Sequence, residues 1–453
     1  MILAAGQGTR MKSALPKVLH EVGGRPMLGH VLDAVRAGGA AACHVVHGHG
    51  ADAVRAWADA AYTDWDALHW VLQAPQRGTG HAVQQALPHI PDDALILTAL
   101  GDVPLIRAET LQALATAGAA GLAMVTVELE QPHGYGRILR TAGRVTGVVE
   151  EKDASARQRA IREVNVGLFA APAARMKRWL AALKSDNAQG EFYLTDIVAM
   201  AAKEKVKIQP VAASGAEEVT GINDRAQLAG AERVYQRRRA ETLMREGLSL
   251  RDPGRFDLRG TLRFGRDCEI DVGAVIQGDV TLGDNVSIGP YCVLRNVAIG
   301  SGSKVESHCV LDGARLGRDC RIGPFARLRP DAALADEVHV GNFVEVKKTS
   351  LGRGSKANHL AYLGDAEIGA DVNVGAGTIT CNYDGANKHR TVIGDGVFIG
   401  SDTQLVAPVT VGAGATIGAG STITRDVPAG GLTVARARDQ KFLPDWKRPP
   451  KKS

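Results

Sequence analysis

From Phe264 to Ile423 a bulky apolar residue returns at every sixth position, with occasional steps of five that reset the phase. Phe264, Ile270, Ile276, Leu282, Ile288 and Leu294 form one run, continued by Ile299, Val305 and Leu311. Leu316, Ile322, Leu328, Leu334, Val340 and Val346 form a second, and Ile393, Ile399, Leu405, Val411, Ile417 and Ile423 a third. A period of six fits neither a helix nor an alternating strand; it is the signature of a parallel β-helix. Each unit forms one flat face of a triangular coil, with its apolar residue pointing into the prism. The glycines of Ile288-Gly289, Ile322-Gly323 and Ile399-Gly400 are expected to permit the corner geometry. One coil cannot bury its own inward residues, so stability must come from stacking, at about 25 cal/mol per Å² of apolar surface removed from water.

This repeat occupies under half of a 453-residue chain, which is long enough for two or three domains. A net charge of +5, with Lys and Arg scattered along the chain, gives no footprint for nucleic acid and favours small anionic substrates. The six cysteines show no C-x-x-C pair and no zinc spacing, and read as reduced core residues. No signal peptide and no membrane-spanning apolar run is evident, so a cytoplasmic protein is expected.

Residues 1 to about 225 have a different rhythm. Short apolar runs such as Leu95-Ile96-Leu97 and Met124-Val125-Thr126-Val127 alternate with alanine-rich amphipathic stretches, the pattern of an α/β domain. Met1-Ile2-Leu3 leads directly into Ala4-Ala5-Gly6-Gln7-Gly8-Thr9-Arg10-Met11, a strand followed by a glycine loop whose backbone N–H groups can cradle phosphate. The loop lacks the third glycine of a dinucleotide fingerprint and the Gly-Lys-Ser/Thr ending of a P-loop. Only three residues precede it where a strand normally needs five or six, so the chain is expected to begin late, with a short or poorly anchored first strand.

The string from Leu3 to Met11, followed by Leu15-Pro16-Lys17, resembles the sugar-1-phosphate nucleotidylyltransferases. The resemblance implies a Rossmann-like fold in which a sugar phosphate attacks the α-phosphorus of a nucleoside triphosphate. Leu3, Ala4, Ala5 and Gly6 would hold the nucleotide. Arg10 and Lys17 would stabilise charge on the transferring phosphoryl group. Gln73, Gly78 and Thr79 resemble the base-reading segment, in which a glutamine amide matches the edge of uracil. Leu100, Gly101 and Asp102 end an apolar strand with a carboxylate, where the family often has an aromatic before the glycine. With Asn223, Asp102 implies Mg²⁺, a hard ion that takes one or two protein oxygens beside waters and phosphates. By the same analogy Gly136, Glu150 and Asn165 hold the hydroxyls and acetamide of N-acetylglucosamine 1-phosphate. The segment from Gly190 to Asp196 forms part of the acceptor wall.

Residues 226–246 read as one long helix joining the halves, with Arg237, Arg238 and Arg239 on a solvated face. Residues 247–453 then hold the repeat and a basic tail, Lys447-Arg448-Pro-Pro-Lys451-Lys452, expected to be solvated. After Val374 the sixfold beat is interrupted by the polar stretch from Gly377 to Arg390. Around it lie Arg327-Leu-Arg-Pro330, Gly341-Asn-Phe-Val-Glu-Val-Lys-Lys348, His359-Leu-Ala-Tyr-Leu-Gly-Asp365 and Gly375-Ala-Gly-Thr-Ile-Thr-Cys-Asn-Tyr-Asp-Gly385.

These segments resemble the left-handed β-helix of hexapeptide-repeat acyltransferases. Taken with the amino-terminal motifs, they are similar to the bifunctional N-acetylglucosamine-1-phosphate uridylyltransferase/glucosamine-1-phosphate acetyltransferase family. That resemblance implies a homotrimer supplying UDP-N-acetylglucosamine for peptidoglycan and lipopolysaccharide. It also implies acetyl-CoA and UTP as co-substrates and no nucleic-acid or membrane partner. His359 becomes the base that deprotonates the glucosamine amine, a task suited to a neutral imidazole. Glu345 would orient the ring, Arg329 and Lys347 would neutralise the sugar phosphate, and Tyr362 and Asn373 would fix hydroxyls and amine. The coenzyme side falls to Ala376, Asn382, Tyr383, Ser401, Ala419 and Arg436. His20, His47, His49 and His81 read as structural. Two rivals remain: a nucleotidylyltransferase for another sugar whose repeat only oligomerises, and a non-catalytic scaffold.

Overall fold

The computed structural model describes residues 1–436, which divide into two compact units, residues 1–235 and 236 onward. The basic tail lies outside the described residues.

The first unit is built on a nine-stranded sheet. Ile2–Ala4 sits at its centre, parallel to Cys43–His47 on one side and to Leu95–Leu100 on the other. Leu68–Leu72 extends one edge; Glu163–Pro172, Leu122–Glu128 and Ile208–Ala212 extend the other. Glu163–Pro172 runs antiparallel to both of its neighbours and also pairs with the hairpin Gly136–Thr141/Arg144–Val149. Alternating side chains feed two apolar cores, one on each face. Val45, Ala99 and Val125 pack with helix residues Leu28, Leu32 and Leu114. Val46, Ile96 and Met124 pack with Val83, Trp179 and Ile197. The first strand is short, as the sequence implies, but it is firmly held. Ile2 is fully buried, strands pair on both sides, and the Met1 amino group donates to the Leu97 carbonyl at 2.8 Å.

The second unit is a parallel β-helix. One face is an eleven-stranded ladder and the other two merge into a seventeen-stranded one, every pair parallel. The sixfold residues point inward: Ile270, Ile276, Ile288, Leu328, Val346 and Ile399 are each at most 1% exposed, whereas Phe264, at the open end, is only partly covered. Cys268, Cys292, Cys309 and Cys320 are free and buried in this unit, and Cys43 in the other. Cys381 departs from the expectation, pointing outward and half-buried.

Two further expectations need correction. Glycine supplies only some of the corners; of the three named, Gly323 does so, with φ +96°. Asp267, Asn285, Tyr291, His308, Phe325 and Phe343 take the left-handed backbone there, while a Cβ on Gly400 would come within 2.5 Å of the Ala419 nitrogen of the next coil. Gly400 is small because coils stack closely. The inserted loop also begins later than expected, since Ile379–Cys381 remains in the wall, paired with Gln404–Val406. Thr380 fills the inward position and satisfies its hydroxyl there, accepting from the Gly364 N–H at 2.7 Å and lying 3.0 Å from the Gly364 carbonyl.

The helix Arg225–Arg245 joins the two units and contains the division at residue 235. Ala231 packs with Val22, Met27, Leu105 and Ile222 of the first unit. Ala240 and Leu243 belong to the core of the prism, and Gln236 caps Leu258, with both side-chain polar atoms on its backbone at 2.7 and 3.0 Å.

Candidate active sites

In the first unit the chain steps from Ile2–Ala4 to Cys43–His47 on one side and later to Leu95–Leu100 on the other. That reversal opens a crevice at the strand ends, where open α/β sheets bind ligands. The glycine loop lies on one side of it and Asp102 on the other. Gly8 adopts φ +62°, and a Cβ there would meet the Lys17 side chain at 2.6 Å. The loop therefore has to be glycine for Lys17 to cross it. Lys17 Nζ lies 2.5 Å from Asp102 Oδ2 and 3.2 Å from Asn223 Oδ1. Gly101 tucks beside the first strand, its N–H donating to the Leu3 carbonyl at 2.9 Å. Ala4 and Ala5 are buried; Gly6 and Arg10 are exposed.

A cavity of about 380 Å³ opens beside this cluster. Leu3, Arg10, Thr79, Leu100, Asp102 and Asn223 line one part of it, and Gly136, Glu150 and Asn165 line the other. A Cβ on Gly136 would strike Val148 at 2.7 Å and both Glu150 oxygens at 3.3 Å, so this wall admits only glycine. Glu150 accepts from the Thr195 hydroxyl at 2.8 Å, and burial, with Asp196 and Asp153 nearby, pushes its carboxyl above the usual range. Asn165 is 6% exposed, and its Oδ1 has no hydrogen-bond partner among the described residues. A buried acceptor left unpaired costs about 1–3 kcal/mol, which a ligand donor would recover.

Gln73 lies in the loop that leads into the helix Thr79–Ala86. It is 5% exposed; its Nε2 donates to the Gly78 carbonyl at 3.1 Å and meets His81 Nδ1 at 3.2 Å. Its amide donors serve the loop itself, which leaves only Oε1 to match a base. Gln76, three residues on and exposed, reaches the Ala5 carbonyl of the glycine loop. Tyr135, Thr195 and Gln227 also line the cavity and were not singled out. Thr195 was within reach of the sequence, in the stretch that resembles the acceptor wall.

In the prism, His359 is exposed at the corner after the strand Lys356–His359. Its Nδ1 lies 2.8 Å from Asn342 Oδ1, the residue paired with it one coil earlier. A carbonyl oxygen can only accept, so Nδ1 carries the hydrogen and Nε2 is left as the basic nitrogen. Within one chain the ring's partner is Asn342 and not the expected Glu345. Glu345 accepts from Arg329 Nη1 at 2.9 Å and lies 3.6 Å from Arg327.

The coil register explains these pairings. Arg329 and Lys347 lie two residues along from Arg327 and Glu345, which pair with each other, and Tyr362 stacks on Glu345. Gly364 stacks on Lys347, and the Tyr362 hydroxyl fills the space a Cβ there would need. Asn373 occupies the other face, between Lys356 and Phe398, so His359 stands at the corner separating it from the basic cluster. Two residues beyond the paired Ala357, Val374, Ile399 and Ile417 come His359, Ala376, Ser401 and Ala419, one column along a single edge. Arg436 is exposed and its Cδ lies over Gly420, next to Ala419. Tyr383 is exposed on the inserted loop. Asn382 is not: its amide donates to Asp365 Oδ2 at 2.5 Å and its side chain is buried, so within one chain it anchors the loop.

Residues 1–240 match the MobA-like NTP transferase domain, residues 258–406 the GMPPB C-terminal domain and residues 390–425 the bacterial transferase hexapeptide repeats. A bifunctional protein GlmU of Alkalilimnicola ehrlichii is 60% identical over 450 residues, 99% of this chain and 96% of that protein. Another, of Aromatoleum aromaticum, is 58% identical over 454 residues, 100% and 98% of the two chains. A putative glucose-1-phosphate thymidylyltransferase of Bacillus anthracis aligns with 51% of this chain and 93% of its own, at 18% identity and a TM-score of 0.43.

Proposed function

This chain belongs to the GlmU family of bifunctional proteins, and from that membership and its two sites we infer that it makes UDP-N-acetylglucosamine by consecutive transfers. The prism acetylates glucosamine 1-phosphate with acetyl-CoA. The amino-terminal unit then couples N-acetylglucosamine 1-phosphate to the uridylyl group of UTP. The product is a cell-wall precursor.

In the first reaction His359 Nε2 takes a proton from the amine as its nitrogen attacks the thioester carbonyl. The new C–N bond forms, the C–S bond breaks, and CoA leaves as the thiol. Asn342 fixes the ring. The Arg329–Glu345–Lys347 cluster supplies net positive charge for the sugar phosphate, with Tyr362 beside it. Coenzyme runs along the column Ala376, Ser401, Ala419, whose coils repeat at about 4.8 Å. In the second reaction a sugar-phosphate oxygen attacks the α-phosphorus of UTP and pyrophosphate departs. Lys17 and Arg10 carry the cationic charge there, and Glu150, Asn165 and Gly136 hold the sugar.

The oxygens of Asp102 and Asn223 converge on one cation, at present the Lys17 ammonium. That hard-donor pair suits Mg²⁺, which would polarise phosphoryl oxygens and screen the leaving pyrophosphate. We also propose a homotrimer. Tyr291, His308, Phe325 and Phe343 stack at centroid distances of 4.9–5.4 Å along one corner, exposed, and Leu360 beside His359 continues the line. Such a ridge suits burial against a second copy, with Asn373 and the basic cluster coming together from different chains. A cytoplasmic setting is consistent with these substrates, and no helix among the described residues is long and apolar enough to cross a membrane.

The observation that carries the reading is the exposed His359 with Nδ1 held and Nε2 free, on the same chain as the Lys17–Asp102 crevice. The full chain should release thiol from acetyl-CoA with glucosamine 1-phosphate and pyrophosphate from UTP with N-acetylglucosamine 1-phosphate. Absence of the first with the second intact would leave a single-activity nucleotidylyltransferase.

A further inference from the structure

Away from these sites, a groove of about 570 Å³ lies between the hairpin turn bearing Arg140 and Arg144 and the segment Lys205–Ile208 at the edge of the sheet. Its floor is apolar, from Val145, Val206 and Ile208, and no lining residue is a carboxylate. Acids near the rim are already engaged. Glu163 receives Arg140 Nε and Nη2 at 2.8 Å each, and Glu204 receives Arg178 at 2.5 Å. Arg144, Lys205 and Lys207 are exposed and enter no ion pair among the described residues. Cations gathered in a concave wall with nothing opposite raise the local potential, and the volume is within the usual range for small-molecule pockets.

We propose that this groove binds a small polyphosphate carrying an apolar group, a ligand of the nucleoside-polyphosphate kind. Arg144, Lys205 and Lys207 receive the phosphates, and the Val145–Val206–Ile208 floor takes the apolar part. The elements that build the groove reach the cavity of the first unit by their other ends. Strand Gly136–Thr141 starts at Gly136, strand Arg144–Val149 ends beside Glu150, and helix Asp196–Lys203 starts next to Thr195. Occupancy therefore biases the placement of Gly136 and Glu150; this part rests on reading that cavity as the sugar subsite.

The test titrates inorganic tripolyphosphate, and separately ATP, into the full-length protein and into Arg144→Glu/Lys207→Glu, by calorimetry. The wild type should bind one equivalent more than the variant, or bind about tenfold more tightly at that site, as expected for losing charged contacts. ATP should be preferred over tripolyphosphate there, and binding should weaken with salt. Identical titrations of the two proteins overturn the proposal. The variant's uridylyl transfer at saturating substrate should be unchanged, which reports its folding. For the coupling, tripolyphosphate should shift the KM for N-acetylglucosamine 1-phosphate by about fivefold in the wild type only. A KM indifferent to the probe overturns the coupling. A wild type with no uridylyl transfer at all would instead overturn the functional reading and leave the anion site standing.

Discussion

Lys17 Nζ stands 2.5 Å from Asp102 Oδ2, on the carboxylate that is also the first candidate to hold a metal. A divalent ion held by Asp102 and Asn223, as proposed, would compete with the ammonium for that oxygen. Lys17→Met should lower uridylyl transfer by about 10²- to 10³-fold, the loss typical of removing one stabilising charge. It should at the same time reduce the Mg²⁺ concentration needed for half-maximal rate. A higher metal requirement in the variant would show that Lys17 does not compete at Asp102.

His359→Ala should lose about 10²- to 10⁴-fold in acetyl transfer with uridylyl transfer unchanged. Asn342→Ala, which frees Nδ1, should cost about 10- to 100-fold in the same assay, a loss of the size seen when a supporting partner is removed. Its pH–rate profile should move relative to wild type. An Asn342 variant with wild-type rate and profile would remove that residue from the mechanism.

Because Glu345 holds Arg329 and not the imidazole, Glu345→Gln should act on the phosphate end of the sugar. The KM for glucosamine 1-phosphate should change, by a few-fold to about tenfold, while the pH dependence of acetyl transfer stays as it was. A displaced pH profile would restore Glu345 to the ring.

His44 lies on Cys43–His47, its ring 4.9 Å from that of His69 and 6.2 Å from that of His89. Burial, then the charge of His69, the terminal amine and His89, lower its pKa to about 4. The fold thus favours neutral His44, so its contribution is complete above the ordinary value of about 6.5 and is lost as pH falls toward 4. Thermal unfolding of the first unit should come at lower temperature across that interval. His44→Gln should flatten the dependence; equal slopes for both proteins would assign the acid sensitivity elsewhere.

Thr380→Val keeps the shape of the inward residue and removes the hydroxyl that serves both the N–H and the carbonyl of Gly364. A loss of about 1–3 kcal/mol is expected for leaving those groups unpaired, read by denaturant unfolding of the prism. Wild-type stability would mean the coil closes over them without cost.

The prism was legible because its inward positions obey one spacing, and the amino-terminal crevice because its residues sit on loops with distinctive strings. Other features carry no such signal. Thr380 hid one wall segment because a polar residue stands where the pattern asks for an apolar one. Asn342, a neutral amide in the same segment as Glu345, carries no signal of its own in the sequence. The partner of His359 is set by coil length, and the residue 17 positions earlier is Asn342.

The 17-residue interval between Asn342 and His359 means that this base is specified by arithmetic as much as by identity. Deleting one surface residue between Phe343 and Asn358 would keep both side chains and slide the imidazole off its support. Natural variation in this chain should therefore be far freer in letters than in length.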